Sequence, residues 1–106
     1  MAGLYDTECP VGRAMNILGD RWTVMILREL FRFPTRRFQD FLDAFDGLSP
    51  NTLSARLKLL EAERIVDRTI YEVRPPRAEY SLTDKGRDLG PVMLALKKWG
   101  TIYDGN

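Results

Sequence analysis

The period of the apolar residues changes once along this chain, and that change limits the folds open to it. Up to Ala62 the large apolar side chains recur every third or fourth position. Val11, Ala14, Met15 and Leu18 form one set, and Trp22, Met25, Ile26 and Leu30 a second, with Glu29 lying in its stripe. Phe38, Phe41, Leu42 and Phe45 form a third, and Leu53, Leu57 and Leu60 a fourth. This spacing marks the buried faces of four helices. From Ile65 to Tyr71 β-branched and aromatic residues follow one another instead, as in a strand.

The punctuation agrees with the periods. Pro10 suits a first helical position with Cys9 as N-cap, and Gly19-Asp20 stops that helix. Pro34 ends the second helix, and Thr35-Arg36-Arg37 reads as a short extended stretch. Asp46-Gly47 closes the third, and Ser49-Pro50 opens the fourth with Ser as cap and Pro at its first position. Pro75-Pro76 forbids a regular ladder, so Glu72 to Arg77 is expected to be a loop, with Arg77 to Leu82 as the returning strand. Thr83 caps a last helix over about 84–103, lined by Leu89, Val92, Met93, Leu96, Trp99 and Tyr103. Pro91 inside that run predicts a kink or a restart. Four helices, a hairpin and a final helix, with the third and fourth helices joined by a tight turn, describe a mainly α winged helix-turn-helix domain. The helix-turn-helix spans about 38–62 and the wing about 65–82, within one domain covering 1–106.

The chemistry available is narrow. The chain has no histidine and one cysteine, which removes His-based nucleophile activation, most zinc sites and any internal disulfide. No Gly-rich phosphate loop or paired-acid motif is present, so neither an enzyme nor a cofactor or metal site is expected. No apolar run approaches a membrane span and no export signal opens the chain, so the cytoplasm is the expected location.

Sixteen Lys and Arg against fifteen Asp and Glu give a net charge of +1, so any field must come from local arrangement. Residues 32–37 hold Arg32, Arg36 and Arg37 without an acid, residues 49–60 hold Arg56 and Lys58 without an acid, and residues 73–78 hold Arg74 and Arg77 without an acid. These clusters fall on the helix 2–3 junction, the fourth helix and the hairpin tip. The fourth helix carries a short polar face of Asn51, Thr52 and Ser54, which lets its backbone approach a duplex. Arg56 can fork to a guanine edge and Asn51 can pair with adenine. Ser49, Thr52 and the free N–H groups at the helix start suit a phosphate. The bland alternative is a solvated polar helix beside a solubilising hairpin. The arginines at the hairpin tip favour double-stranded DNA as the partner.

Two further features stand apart. Cys9 is the one reactive candidate; the helix start favours a thiolate, while Asp6 and Glu8 oppose it. The last helix carries more apolar surface than a small monomer covers, so a homodimer is expected, with Leu4, Tyr5 and Val11 joining Leu89, Val92, Met93, Leu96, Trp99 and Tyr103 at the seam. A pocket near Trp22, Phe41 and the dimer seam is either a site for a small aromatic ligand or plain core.

These residues resemble the HxlR-type helix-turn-helix regulators of bacteria. The resemblance runs from Cys9 to about Trp99. It rests on Cys9-Pro10-Val11, Leu18-Gly19-Asp20-Arg21-Trp22-Thr23, Ile26-Leu27-Arg28-Glu29-Leu30 and Arg37-Phe38. It continues through Leu48-Ser49-Pro50-Asn51-Thr52-Leu53-Ser54-Ala55-Arg56-Leu57-Lys58 and Pro75-Pro76-Arg77-Ala78-Glu79-Tyr80-Ser81-Leu82-Thr83-Asp84-Lys85-Gly86. It implies a homodimeric transcription factor on a near-palindromic operator, with terminal helices building the dimer, the fourth helix in the major groove and the wing on flanking backbone or minor groove. Some members sense electrophiles, quinones or oxidants through an N-terminal cysteine, which matches Cys9; others work without a thiol switch. The family often carries a basic residue where this chain has Asn51.

Overall fold

Ile26, Leu27 and Leu30 are buried on one side of a helix over Arg21–Arg32, and the rest of the domain is assembled against that side. The computed structural model describes residues 8–105. Its helices are α1 (Pro10–Leu18), α2 (Arg21–Arg32), α3 (Phe38–Ala44), α4 (Pro50–Ala62), α5 (Asp84–Arg87) and α6 (Gly90–Ile102). Its strands are β1 (Arg36–Arg37), β2 (Val66–Val73) and β3 (Pro76–Leu82).

The helix starts follow the sequence punctuation. Asp20 caps α2, its Oδ2 accepting from the Thr23 N–H at 3.0 Å. The Arg37 N–H donates to Asp40 at 2.8 Å at the head of α3, and Ser49 Oγ accepts from the Thr52 N–H at 3.1 Å at the head of α4. Cys9 occupies the N-cap of α1, but its side chain makes no capping hydrogen bond.

Leu53, Leu57 and Leu60 of α4 join the α2 residues, Phe41 of α3, and Ile65, Val66, Tyr80 and Leu82 of the sheet in one core. Phe41 is fully buried and meets Tyr80 edge-on at 6.3 Å, so Phe41 itself is core. Trp22 packs on Phe45 at 6.1 Å and closes that end.

The turn from α4 into the sheet is tight. Arg64 adopts φ 59°, a left-handed conformation that usually selects glycine. The Arg64 N–H reaches Glu61 O at 3.0 Å and the Ile65 N–H reaches Leu60 O at 2.9 Å, which satisfies the carbonyls left open at the helix end. Thr83 Oγ1 donates to Arg64 O at 2.6 Å and Lys85 Nζ donates to Glu63 O at 2.8 Å, so the Thr83–Gly86 segment fastens this corner. Gly86 lies against it so closely that a Cβ would collide with Ile65 O.

Two expectations are revised and a third is met. Arg36 and Arg37 form a true strand, and the antiparallel sheet runs β1-β3-β2, with Arg36 opposite Tyr80 and Val66 opposite Leu82. The supposed loop from Glu72 to Arg77 is largely ladder: Glu72 pairs with Arg77 and Val73 with Pro76, leaving a turn at Arg74-Pro75, whose peptide is cis. Pro76 is tolerated because it begins its strand beside the turn. The restart expected at Pro91 is present: Pro91 lacks the N–H that would continue α5, and the chain begins again as α6.

Candidate nucleic-acid interface

The helix α4 is two-sided. Leu53, Leu57 and Leu60 are buried, while Ser49, Asn51, Ala55 and Lys58 are exposed and Thr52, Ser54 and Arg56 are partly so. Ser49 Oγ also donates to Thr52 Oγ1 at 3.0 Å, which fixes both hydroxyls at the helix start. Pro50 has no N–H, and the Thr52 and Leu53 N–H groups are taken by Ser49 Oγ and Ser49 O, so this helix start offers a phosphate its hydroxyls rather than a row of free N–H groups.

Arg56 is oriented from below. Its Nε donates to Asp20 Oδ2 at 2.9 Å, the same oxygen that caps α2. Burial raises the Asp20 pKa, but the Thr23 N–H and the Arg56 guanidinium outweigh it, and the carboxyl is held below its usual range. One acid thus links the start of α2 to the polar face of α4.

Arg36 does not present its charge outward. Its Nε and Nη2 donate to Glu29 Oε2 at 3.1 and 2.9 Å, its Nη1 lies 3.8 Å from Asp40, and its guanidinium stacks on Phe33 at 3.6 Å. Glu29 is only 3% exposed, while the Arg36 side chain is 23% exposed, so a buried acid meets a partly buried base. The pair commits Arg36 to bracing α2 against β1 and argues against the expected DNA contact. Neighbouring Arg37 is exposed and stacks over Tyr71 of β2 at 4.7 Å. On the hairpin tip Arg74 is exposed, and Arg77 pairs with Glu72 at 3.2 Å with both side chains about half exposed.

The expected seam residues divide. Val11 is 68% exposed and Trp99 67%, and Val92, Leu96 and Tyr103 are also exposed; no residue of α6 is buried. Leu89 instead packs against this chain's own core, and Met93 is half-buried. Leu4 and Tyr5 lie outside the described residues. Cys9 is exposed.

Sequence reasoning missed Asp20 and Glu29 as hubs. Asp20 read only as a stop, although an Asp three residues before Thr23 is a capping pattern. Glu29 carried a clearer signal: an acid in an apolar stripe with arginines at 28, 32 and 36.

Residues 17–106 match the model of a family described as HxlR-like helix-turn-helix. An uncharacterised HTH-type transcriptional regulator of Synechocystis is 43% identical over 95 residues, covering 90% of this chain and 70% of the relative. One of Mycobacterium tuberculosis is 44% identical and covers 88% of this chain, which spans 58% of that relative's length. Among solved structures, the redox regulator HypR in its oxidised form superposes with a TM-score of 0.84 at 33% identity, over 92% of this chain and 100% of that one. Among the described residues no helix is long and apolar enough to cross a membrane.

Proposed function

The chain belongs to the HxlR-like helix-turn-helix family of transcriptional regulators, and on that premise we propose that it acts as a homodimer that binds a near-palindromic operator in double-stranded DNA. The observation that carries this reading is the two-sided α4, whose apolar side is buried while Ser49, Asn51, Thr52, Ser54, Arg56 and Lys58 line the other. In this reading α4 enters the major groove, Asn51 and Arg56 read base edges, and Ser49, Thr52 and Lys58 hold phosphates. Arg37, Arg74 and Arg77 meet the flanking backbone or minor groove. A second copy covers the exposed stripe of α6 together with Val11 of α1, which sets two recognition helices roughly 34–36 Å apart.

The test is fluorescence anisotropy on DNA from directly upstream of the gene, across a salt series, beside a scrambled duplex. Specific binding with a steep salt dependence supports the reading. Equal affinity for the scrambled duplex overturns specificity at that site.

A second reading adds a thiol switch. Exposed Cys9 sits at the start of α1, two residues from exposed Val11. HypR, a structural neighbour, is named a redox regulator. Each chain has one cysteine, so a protein disulfide would join two chains, with diamide taking up the two hydrogens; alkylation would cap each thiol singly. Either change at the seam would shift the recognition helices, and both half-sites must be met together. If Cys9→Ser leaves the response of DNA binding to diamide unchanged, Cys9 has no part in it.

A further inference from the structure

The outer side of α2 and one side of α6 enclose a cleft of about 790 Å³. Its floor is apolar, built from Val24, Met25 and Phe31 of α2 and Met93, Leu94 and Leu96 of α6. Phe31 approaches Gly90, where a Cβ would stand 3.7 Å from its ring, so the cleft narrows at the start of α6. Among the described residues, the charged ones lining it are Arg28, Arg32 and Lys97, with no acid.

Beneath this rim the balance of charge stays positive. Arg28 and Arg32 both approach Glu29 Oε1, at 3.9 and 4.0 Å, while the other oxygen of Glu29 is taken by Arg36. One carboxylate shared among three guanidiniums leaves Arg28 and Arg32 short of counter-charge.

The cleft borders the stripe assigned above to a second copy and shares Leu96 with it. At about 100° per residue, the side of α6 carrying Gly90, Met93, Leu94 and Lys97 lies roughly 150° from that carrying Val92, Trp99 and Tyr103. A two-fold contact through the cleft itself would set one cationic rim against its own image. Arginine and lysine around an apolar floor fit an apolar body with an anionic head. Methionines adapt to such a body.

We propose that the α2–α6 cleft is a binding site for a small organic anion, an aromatic or aliphatic carboxylate seated on Met25, Phe31 and Met93 with its carboxylate held by Arg28, Arg32 and Lys97. The carboxylate competes with Glu29 for Arg28 and Arg32. Glu29 also holds Arg36 in β1, which pairs with β3 of the wing, so occupancy is transmitted towards the DNA-facing hairpin. That last consequence rests on the DNA-binding reading; the binding site does not.

The test uses the full chain, titrated calorimetrically with 1-naphthoate and with its neutral counterpart 1-naphthalenemethanol. Naphthoate should bind the more tightly. Arg28→Gln with Lys97→Gln, both on exposed side chains, should weaken naphthoate by about tenfold and leave the alcohol unchanged. Met93→Trp should fill the cleft and weaken both, with sedimentation unchanged. Equal affinity for the two probes, or naphthoate binding indifferent to the charge variant, overturns the proposal. So does a change of oligomeric state in the charge variant, which would make the cleft a protein interface. Added naphthoate should then change operator affinity; binding without that change rejects the coupling alone.

Discussion

Asp20 Oδ2 accepts from the Thr23 N–H at 3.0 Å and from Arg56 Nε at 2.9 Å, so the group that starts α2 also sets the direction of an arginine on α4. The two residues are 36 positions apart, and each acquires its role only through the other.

Replacing Asp20 by Ala therefore removes a cap and an ion pair together. The expected loss is about 1–2 kcal/mol, most of it from the cap, since the pair is about a third exposed on both sides. The sign of the pH dependence follows from the lowered carboxyl. A group with a folded pKa below its unfolded one stabilises above the unfolded value and loses that contribution as pH falls through the folded value. Urea melts of the wild type and Asp20→Asn should thus converge as the pH falls below about 4. A constant gap across that range would show that Asp20 ionisation contributes nothing.

Glu29 is the second hub. Glu29→Gln leaves the partly buried Arg36 guanidinium with only the more distant Asp40 as counter-charge and should cost about 1–3 kcal/mol in chemical denaturation. Adding Arg36→Met removes the stranded charge, so the double variant should recover part of the loss. Strict additivity of the two substitutions would show that the pair is not coupled.

On the wing, Arg74→Ala and Arg77→Ala should weaken binding to all DNA sequences alike, each lowering the salt slope by about 1. Arg56→Ala should act differently, costing about 1–3 kcal/mol and relaxing the preference at one base pair. A selection of bound sequences with each variant separates the two patterns. Because Glu72 pairs with Arg77 at 3.2 Å, Glu72→Gln should modestly tighten binding at low salt.

The apolar stripe of α6 should fail in its own way. Trp99 and Tyr103 stack at 5.2 Å on a helix with no buried residue. Leu96→Asp, on the same stripe and 52% exposed, should shift sedimentation towards a monomer while leaving the melting temperature of the isolated domain little changed. An unchanged sedimentation coefficient would place the dimer seam elsewhere.

Helix positions were legible because burial of one side imposes a period, and because Ser49 and Thr83 satisfy N–H groups within three residues of themselves. Pro91 announced the restart at α6 for the same local reason. The polar side of α4 was legible as the complement of Leu53, Leu57 and Leu60. The strand pairing of Arg36-Arg37 was not, since two residues carry no period and their partners on β3 lie 42 or more positions away. Nor was the ladder at Val73 and Pro76, where the proline falls at a strand start, a position that only the register defines.

The sequence alone determined the elements, their order and the family they spell, because capping, turn and amphipathic signals act between residues a few positions apart. Tertiary structure decided which charges are free. Arg36, Arg37 and Arg56 look alike in the sequence, yet Arg36 is held by buried Glu29, Arg37 lies on Tyr71, and Arg56 is aimed by Asp20. An arginine's long side chain reaches whichever acid or ring the fold brings within a few ångströms, and that neighbour is set by packing across the core, not by spacing along the chain.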